Sequence, residues 1–179
     1  NEHLLATQGF GPIAQQPDGT LLFGSRNAGV YALQESRLIP GSRMQPATTF
    51  TVLSIFPESP GRTWYGMKSH VPILQHGQRS IPLPVNPSDI ALSIFAIVKT
   101  SSGGVLLGSN QGLKRVVDED SLANLSHPAL DSLVIFDIVR AGSVSEQYWL
   151  ATNKGLRLIE FGGDSIKRIN SFAPDGAIV

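Results

Sequence analysis

Cysteine is absent from this sequence of 179 residues. That excludes a disulfide scaffold, a thiol nucleophile and any thiolate metal site. It leaves the compartment open, because a cysteine-free chain suits oxidising and reducing spaces alike. An excess of charge is missing too: 14 Lys+Arg balance 14 Asp+Glu, whereas a nucleic-acid-binding domain normally carries a basic surplus. The longest apolar-leaning run, Ile90 to Val98, is far short of the roughly 20 residues that cross a bilayer as a helix. No signal or transit peptide is recognisable, and the chain opens on Asn1 rather than Met, as a processed product or an excerpt of a longer chain would. Sustained helical periodicity is absent as well. With 41% hydrophobic residues the chain is not a disordered one, and its length suits one domain or two small ones.

Turn-forming residues, by contrast, are abundant. Eighteen Gly and 12 Pro separate short runs rich in Val, Ile, Leu, Phe, Tyr and Trp, the pattern of an all-β chain. The runs repeat. Gly24, Gly66, Gly108 and Ala151 occupy matching places at spacings of 42, 42 and 43 residues. Two residues before each stands a large apolar residue: Leu22, Trp64, Leu106 and Trp149. Upstream of each, an apolar pair three residues apart recurs as Phe10 and Ile13, Val52 and Ile55, Ile94 and Ile97, Ile135 and Ile138. The fourth copy carries two extra residues in its first hairpin, within AGSVSEQ.

Each copy reads as four short strands. The first is apolar: Phe10 to Ala14, Thr51 to Phe56, Leu92 to Val98 and Leu133 to Val139. The second holds the large residue and the small anchor. The third covers Val30 to Leu33, Val71 to Leu74, Leu113 to Val117 and Leu156 to Phe161. The fourth is ragged, around Leu38, Ile81 and Leu122 and from Ser165 to Ile169, as a solvent-facing edge can be. Four antiparallel strands per 40–45 residues is the β-propeller blade. The expected fold is therefore all-β, four tandem four-stranded antiparallel blades at about 8–41, 50–84, 91–126 and 133–171 of one propeller segment spanning 1–179. The small anchor would let the next blade approach closely.

The phrases VLLGSNQGLKRVVD (Val105 to Asp118) and YWLATNKGLRLIEF (Tyr148 to Phe161) resemble the two-component regulator propeller repeat. That pattern is a bulky position, an apolar pair, Gly or Ala, Ser or Thr, two variable residues, then Gly-Leu and a basic or polar residue. Trp149, Ala151, Thr152, Gly155 and Leu156 match it, as do Leu106, Gly108, Ser109, Gly112 and Leu113. Copy one matches at Gly24, Ser25, Gly29 and Val30, with one extra loop residue. Copy two departs from it: Met67 replaces the Ser/Thr, His70 stands where Gly is expected, and Pro72 follows. The resemblance implies a periplasmic or otherwise extracytoplasmic sensor region of a bacterial signalling protein, in which a membrane span and a histidine kinase or diguanylate cyclase follow. It implies a non-catalytic input domain for a small-molecule or carbohydrate ligand, attached to the membrane only through the parent protein.

Motifs for chemistry are sparse. His3, His70, His76 and His127 are dispersed without ligand spacing, so no metal site is expected. Asp118, Glu119 and Asp120 lack the further ligands of a calcium loop and read as a solvated turn. GFGPIA at Gly9 to Ala14 is interrupted by Pro12 and has no βαβ context, so no nucleotide or other cofactor is expected. No GxSxG or SxxK nucleophile motif is present. The candidate binding residues sit on the hairpins between second and third strands: Arg26, Asn27, Lys68, His70, Asn110, Gln111, Asn153 and Lys154. In a propeller these hairpins gather on one face, and their side chains suit a hydroxyl-rich or anionic ligand. Hairpin tips are polar in β proteins generally. Trp64 and Trp149 could stack on a sugar, but their fixed place in the repeat favours burial between blades. A propeller lyase or hydrolase, or a scaffold for protein partners, remain as alternatives.

The four copies are in phase with both termini, and no spare strand is evident to latch a ring. The expectation is a segment of a larger propeller, with apolar end-blade faces near Phe10 and near Ile135 or Leu158 that favour homo-oligomers.

Overall fold

In the computed structural model, residues 9–40, 50–85, 91–118, 121–142 and 146–172 are described. Among them every regular element is a strand, arranged as four antiparallel sheets of four. The first holds β1 (Phe10–Gln15), β2 (Leu21–Ser25), β3 (Val30–Gln34) and β4 (Arg37–Pro40). The second holds β5 (Val52–Ser59), β6 (Arg62–Met67), β7 (Ile73–His76) and β8 (Arg79–Pro82). The third holds β9 (Ile94–Lys99), β10 (Val105–Ser109), β11 (Gly112–Asp118) and β12 (Ser121–Asn124). The fourth holds β13 (Ile135–Arg140), β14 (Gln147–Thr152), β15 (Gly155–Gly162) and β16 (Ser165–Phe172). Strands follow chain order in each sheet, so every connection within a sheet is a hairpin.

Local chemistry sets the turns. Asp18 Oδ1 accepts the Thr20 N–H at 2.9 Å, and Gly19 takes a φ of +89° at the β1–β2 turn. The β3–β4 turn places Glu35 and Ser36 at φ +47° and +64°, the pair of positive values a tight two-residue hairpin needs. The second strand of each sheet carries the burial. All five residues of β10 are buried, as are five of the six in β6.

The chain divides into two compact units, Asn1–Ile94 and Phe95–Val179. In the first, Leu22, Val30, Ala32, Val52, Tyr65, Met67 and Ile73 form a buried cluster. In the second, the cluster includes Leu106, Leu113, Ile135, Ile138, Tyr148, Leu150 and Ile159.

The anchor residues explain their smallness. A methyl group on Gly24 would lie 2.8 Å from Val52 Cγ1, one on Gly66 2.6 Å from the Ile94 carbonyl oxygen, and one on Gly108 2.8 Å from Ile135 Cγ2. In each case the first residue of the next inner strand sits on the anchor. Val52, Ile94 and Ile135 are correspondingly buried, at 2%, 0% and 0% exposure. Ile135 itself is thus not part of the apolar surface expected near it. The exposed apolar positions of the fourth sheet are instead Phe136, Val139 and Leu156, and those of the first include Phe10 and Ile13.

The two tryptophans differ. Trp64 is buried, and its Nε1–H donates to Glu58 Oε2 at 2.8 Å. Arg62 Nε donates to the same oxygen at 2.7 Å, and the guanidinium lies 5.4 Å from the indole centroid. Trp149 is only partly buried and packs on Phe172 at 5.2 Å.

Candidate functional site

The hairpins between second and third strands are stapled by the Ser or Thr that follows the anchor. Ser109 Oγ donates to the Gly112 carbonyl at 2.7 Å and accepts the Gln111 N–H at 3.0 Å. Thr152 Oγ1 makes the matching pair with the Gly155 carbonyl at 2.7 Å and the Lys154 N–H at 3.1 Å. Ser25 Oγ accepts the Ala28 N–H at 2.7 Å. Gly112 and Gly155 sit at φ +81° and +91°, a backbone that glycine adopts without cost. The second sheet has Met67 in the Ser/Thr place, fully buried, and its hairpin is held from outside. Ser93 Oγ accepts the Ser69 N–H at 3.0 Å, and the Leu92 carbonyl accepts the His70 N–H at 2.9 Å.

The tips are then pinned against the entry to their own inner strand. The Arg26, Lys68 and Asn153 N–H groups donate to the carbonyls of Gly9, Thr51 and Val134 at 2.9, 3.0 and 3.0 Å. Thr51 Oγ1 also donates to the Arg26 carbonyl.

Against this frame the eight candidate side chains separate. Arg26, Asn27, Lys68 and Lys154 are exposed. His70 is half-buried, with Nδ1 2.9 Å from the Val71 carbonyl oxygen and its ring 4.2 Å from Phe50. Asn153 is exposed but engaged, since its Oδ1 accepts the Val134 N–H at 3.0 Å. With the reciprocal backbone bond this makes a two-point clasp. Asn110 and Gln111 are half-buried. Of the other histidines, His127 Nδ1 accepts the Ala129 N–H at 3.1 Å inside its own turn, and His76 is exposed. His3, Glu119 and Asp120 lie outside the described residues. No group of three or more His, Asp or Glu among the described residues could hold a metal ion.

Gln111 lines a cavity of about 160 Å³ at the hairpin end of the third sheet, together with Asn124, Ser126, Asp131 and Ser132. These partners come from the end of β12 and the connection to β13, outside the hairpins that the sequence singles out. The connection is well braced. Asp131 Oδ1 accepts the His127 N–H at 3.1 Å, and the Leu133 carbonyl accepts the Gly112 N–H at 2.9 Å. Beneath it, the fully buried Lys114 donates from Nζ to Asn124 Oδ1. The cavity thus offers amides, hydroxyls and one carboxylate, a set that matches the alternating donors and acceptors of a polyol.

At the opposite end of the second unit, Glu146 is the centre of a polar network. Its Oε1 accepts the Ser102 N–H at 3.1 Å and its Oε2 the Tyr148 hydroxyl at 2.6 Å. Partial burial resists its ionisation. Hydrogen bonds from Ser101, Tyr148 and Ser102, with the charge of Arg140, outweigh that and hold the Glu146 carboxyl below its usual range. Burial and the same carboxylate push the Tyr148 phenol up.

Comparison with solved structures settles the architecture. The fold is that of a β-propeller. The extracellular domain of BT3049, described as a hybrid two component system of B. thetaiotaomicron, is similar at a TM-score of 0.70 and 16% identity, over 91% of this chain and 23% of that one. The extracellular domain of BT4673, of the same description and organism, gives 0.65 and 18%, over 83% of this chain and 21% of that one. Virginiamycin B lyase from Staphylococcus aureus gives 0.63 and 14%, over 96% of this chain and 69% of that one. The chain therefore spans less than a quarter of the length of the two extracellular domains. No protein-family model matches the sequence, and no curated protein matches it significantly. The resemblance to the two-component regulator propeller repeat is consistent with these two extracellular domains.

Proposed function

We propose that this chain is part of the extracytoplasmic sensory input region of a bacterial membrane-bound signalling protein, and that it binds a small hydroxylated molecule without turning it over. One observation carries the reading. The Gly–Ser/Thr–Gly-Leu pattern that the sequence shares with sensor propellers serves in this structure to staple and pin the hairpins. Gln111, on one of those hairpins, borders the polar cavity with Asn124 and Asp131. The hairpin residues of each unit remain the proposed contacts, Arg26, Asn27, Lys68 and His70 in the first and Asn110, Gln111 and Lys154 in the second, with Gln111 and Asn110 foremost and Asn153 acting as a clasp. The output module, a kinase or cyclase, would lie in the parent protein.

The test is isothermal titration of the purified chain against a panel of neutral mono- and oligosaccharides, with Gln111→Ala and Lys154→Ala alongside. Binding that is lost in Gln111→Ala, with an unchanged melting temperature, supports the reading. A folded chain that binds no member of the panel overturns it, and binding that is equal with Gln111 replaced overturns the hairpins as the site.

A second reading rests on exposed apolar side chains. Ile13 is 64% and Val139 56% exposed, and faces of this kind favour self-association. Under this reading the chain forms homo-oligomers through its first and last sheets. Light scattering that shows a monomer at high concentration would sink it.

A further inference from the structure

The second unit carries another cavity, of about 150 Å³, at the end of its sheets away from the stapled hairpins. Leu106 and Phe161 give it an apolar wall, and Thr100, Ser102, Arg115 and Glu146 give it a polar one. We propose that this cleft is a ligand site for one neutral six-membered sugar ring, and that Arg115 and Glu146 are its principal hydrogen-bonding groups. The proposal deepens the sensory reading above and rests on it for its biological setting, but it concerns different residues.

Three observations point to that ligand. The first is size. The cleft is about half the ~300 Å³ at which sites for drug-sized molecules begin, so it holds a single ring rather than a chain. The second is charge. Arg115 lies 2.6 Å from Asp164 Oδ1, with Asp164 also bordering the cleft. With Glu146 and the Arg140 whose charge acts on it, the site balances two carboxylates against two guanidiniums, so it offers uronates, phosphates and other anions no surplus cation. The third is preorganisation. Glu146 is held at both oxygens by the Ser102 N–H and the Tyr148 hydroxyl, and its own carbonyl accepts the Phe161 N–H at 2.9 Å. Thr100 Oγ1 is tied to the Gly104 carbonyl at 3.2 Å and lies 3.0 Å from Ser102 Oγ. A fixed carboxylate retains acceptor capacity beyond these bonds and the one from Ser101, because each oxygen has two lone pairs. Arg115 spends one N–H on Asp164 and brings further donors in a fixed fork. A vicinal diol, with an acceptor and a donor on each carbon, pairs with such an Arg–carboxylate set. The C–H face of the ring would then lie against Phe161.

The test is saturation-transfer NMR and equilibrium dialysis of the purified chain with glucose, its methyl glycosides and glucuronate. The variants are Arg115→Ala, Asp164→Ala, Phe161→Leu and Gln111→Ala. Glucose and at least one methyl glycoside should bind and glucuronate should bind at least tenfold more weakly. Arg115→Ala should lose binding at least tenfold, and Phe161→Leu should lose the transfer to ring C–H protons. Asp164 is 88% exposed at its side chain, so Asp164→Ala leaves the fold intact and should narrow the glucose–glucuronate gap. Gln111→Ala should leave this binding unchanged. Glucuronate binding as well as glucose, or Arg115→Ala binding normally, overturns the proposal. Binding lost in Gln111→Ala but kept in Arg115→Ala assigns the ligand to the hairpin end, which defeats this proposal and leaves the sensory reading standing.

Discussion

Gly66→Ala should be the most damaging of the anchor substitutions. The added methyl would stand 2.1 Å from Ser54 Oγ, 2.6 Å from the Ile94 carbonyl oxygen and 2.8 Å from Ile94 Cγ2. Ser54 Oγ could rotate away, but it donates to that same Ile94 carbonyl at 3.2 Å, so rotation forfeits a hydrogen bond of about 0.5–1.5 kcal/mol. The carbonyl itself is backbone and moves only with the strand. Overpacking of this kind costs about 1–3 kcal/mol, which gives roughly 2–4 kcal/mol in all. For a chain of this length about 2–4 °C of melting temperature follows each kcal/mol, so the expected loss is on the order of 5–15 °C. Gly24→Ala meets only side chains, Pro12 Cγ at 2.7 Å and Val52 Cγ1 at 2.8 Å. It should cost less, and Val52→Ala should relieve part of its clash. Gly104→Ala is the control, since the nearest atom is Thr100 Oγ1 at 3.2 Å. Thermal denaturation followed by circular dichroism measures all three. If Gly66→Ala melts within 2 °C of the parent, or above Gly24→Ala, the close approach of Ile94 to the anchor is not what holds these strands.

Three further outcomes follow from the same geometry. Burial pushes the Tyr65 phenol up from 10.0 to about 12, with a hydrogen bond from Thr63 opposing. Its contribution to stability is complete below about pH 10 and drains away as pH rises toward 12. Tyr65→Phe should therefore flatten the alkaline limb of the melting curve in that window, and an unchanged limb would contradict its burial. Glu146 shows the opposite sign. Its folded carboxyl titrates below the usual 4.5, so its contribution is present above that pH and lost as pH falls through the depressed value. Glu146→Gln should lessen acid sensitivity there, read by melting temperature from pH 6 to 3. Trp64→Ala should cost about 3–5 kcal/mol and Trp149→Phe much less, and iodide should quench mainly the emission that Trp149→Phe removes.

The architecture was legible because its determinants are local and repeated. The 42- to 43-residue spacing of Gly24, Gly66, Gly108 and Ala151 marks second strands, and the four expected strands per copy are all present. Strand ends were less legible. Leu92 and Leu133 read as strand residues from their hydrophobicity, but both precede β9 and β13. Their carbonyls instead receive the His70 and Gly112 N–H groups, bonds that span about twenty residues and leave no periodic trace. The same limit governs the sites. Asn153 has the composition of a ligand contact, yet its carboxamide closes a clasp on Val134. Asn124 and Asp131 carried no signal beyond loop composition, because the cavity they share with Gln111 forms only when the β12–β13 connection folds over the hairpin. Glu146 sits in the stretch that looked like a mere insertion, and its importance depends on Ser102 reaching it from 44 residues away, beside its near neighbour Tyr148.

The seating of each inner-strand residue on the preceding anchor has a consequence for how such chains can be rebuilt. Gly24 is matched to Val52, Gly66 to Ile94, and Gly108 to Ile135. These paired positions therefore straddle the boundary between one sheet and the next. A transplant cut at sheet boundaries would separate each of these three glycines from its partner and place a foreign side chain on a surface with no room to yield. A transplant cut within a sheet, between its inner strand and its anchor, would carry each anchor together with the residue that seats on it. The modular unit for recombination, in the laboratory or by gene duplication, is thus offset from the unit that the eye picks out as a sheet.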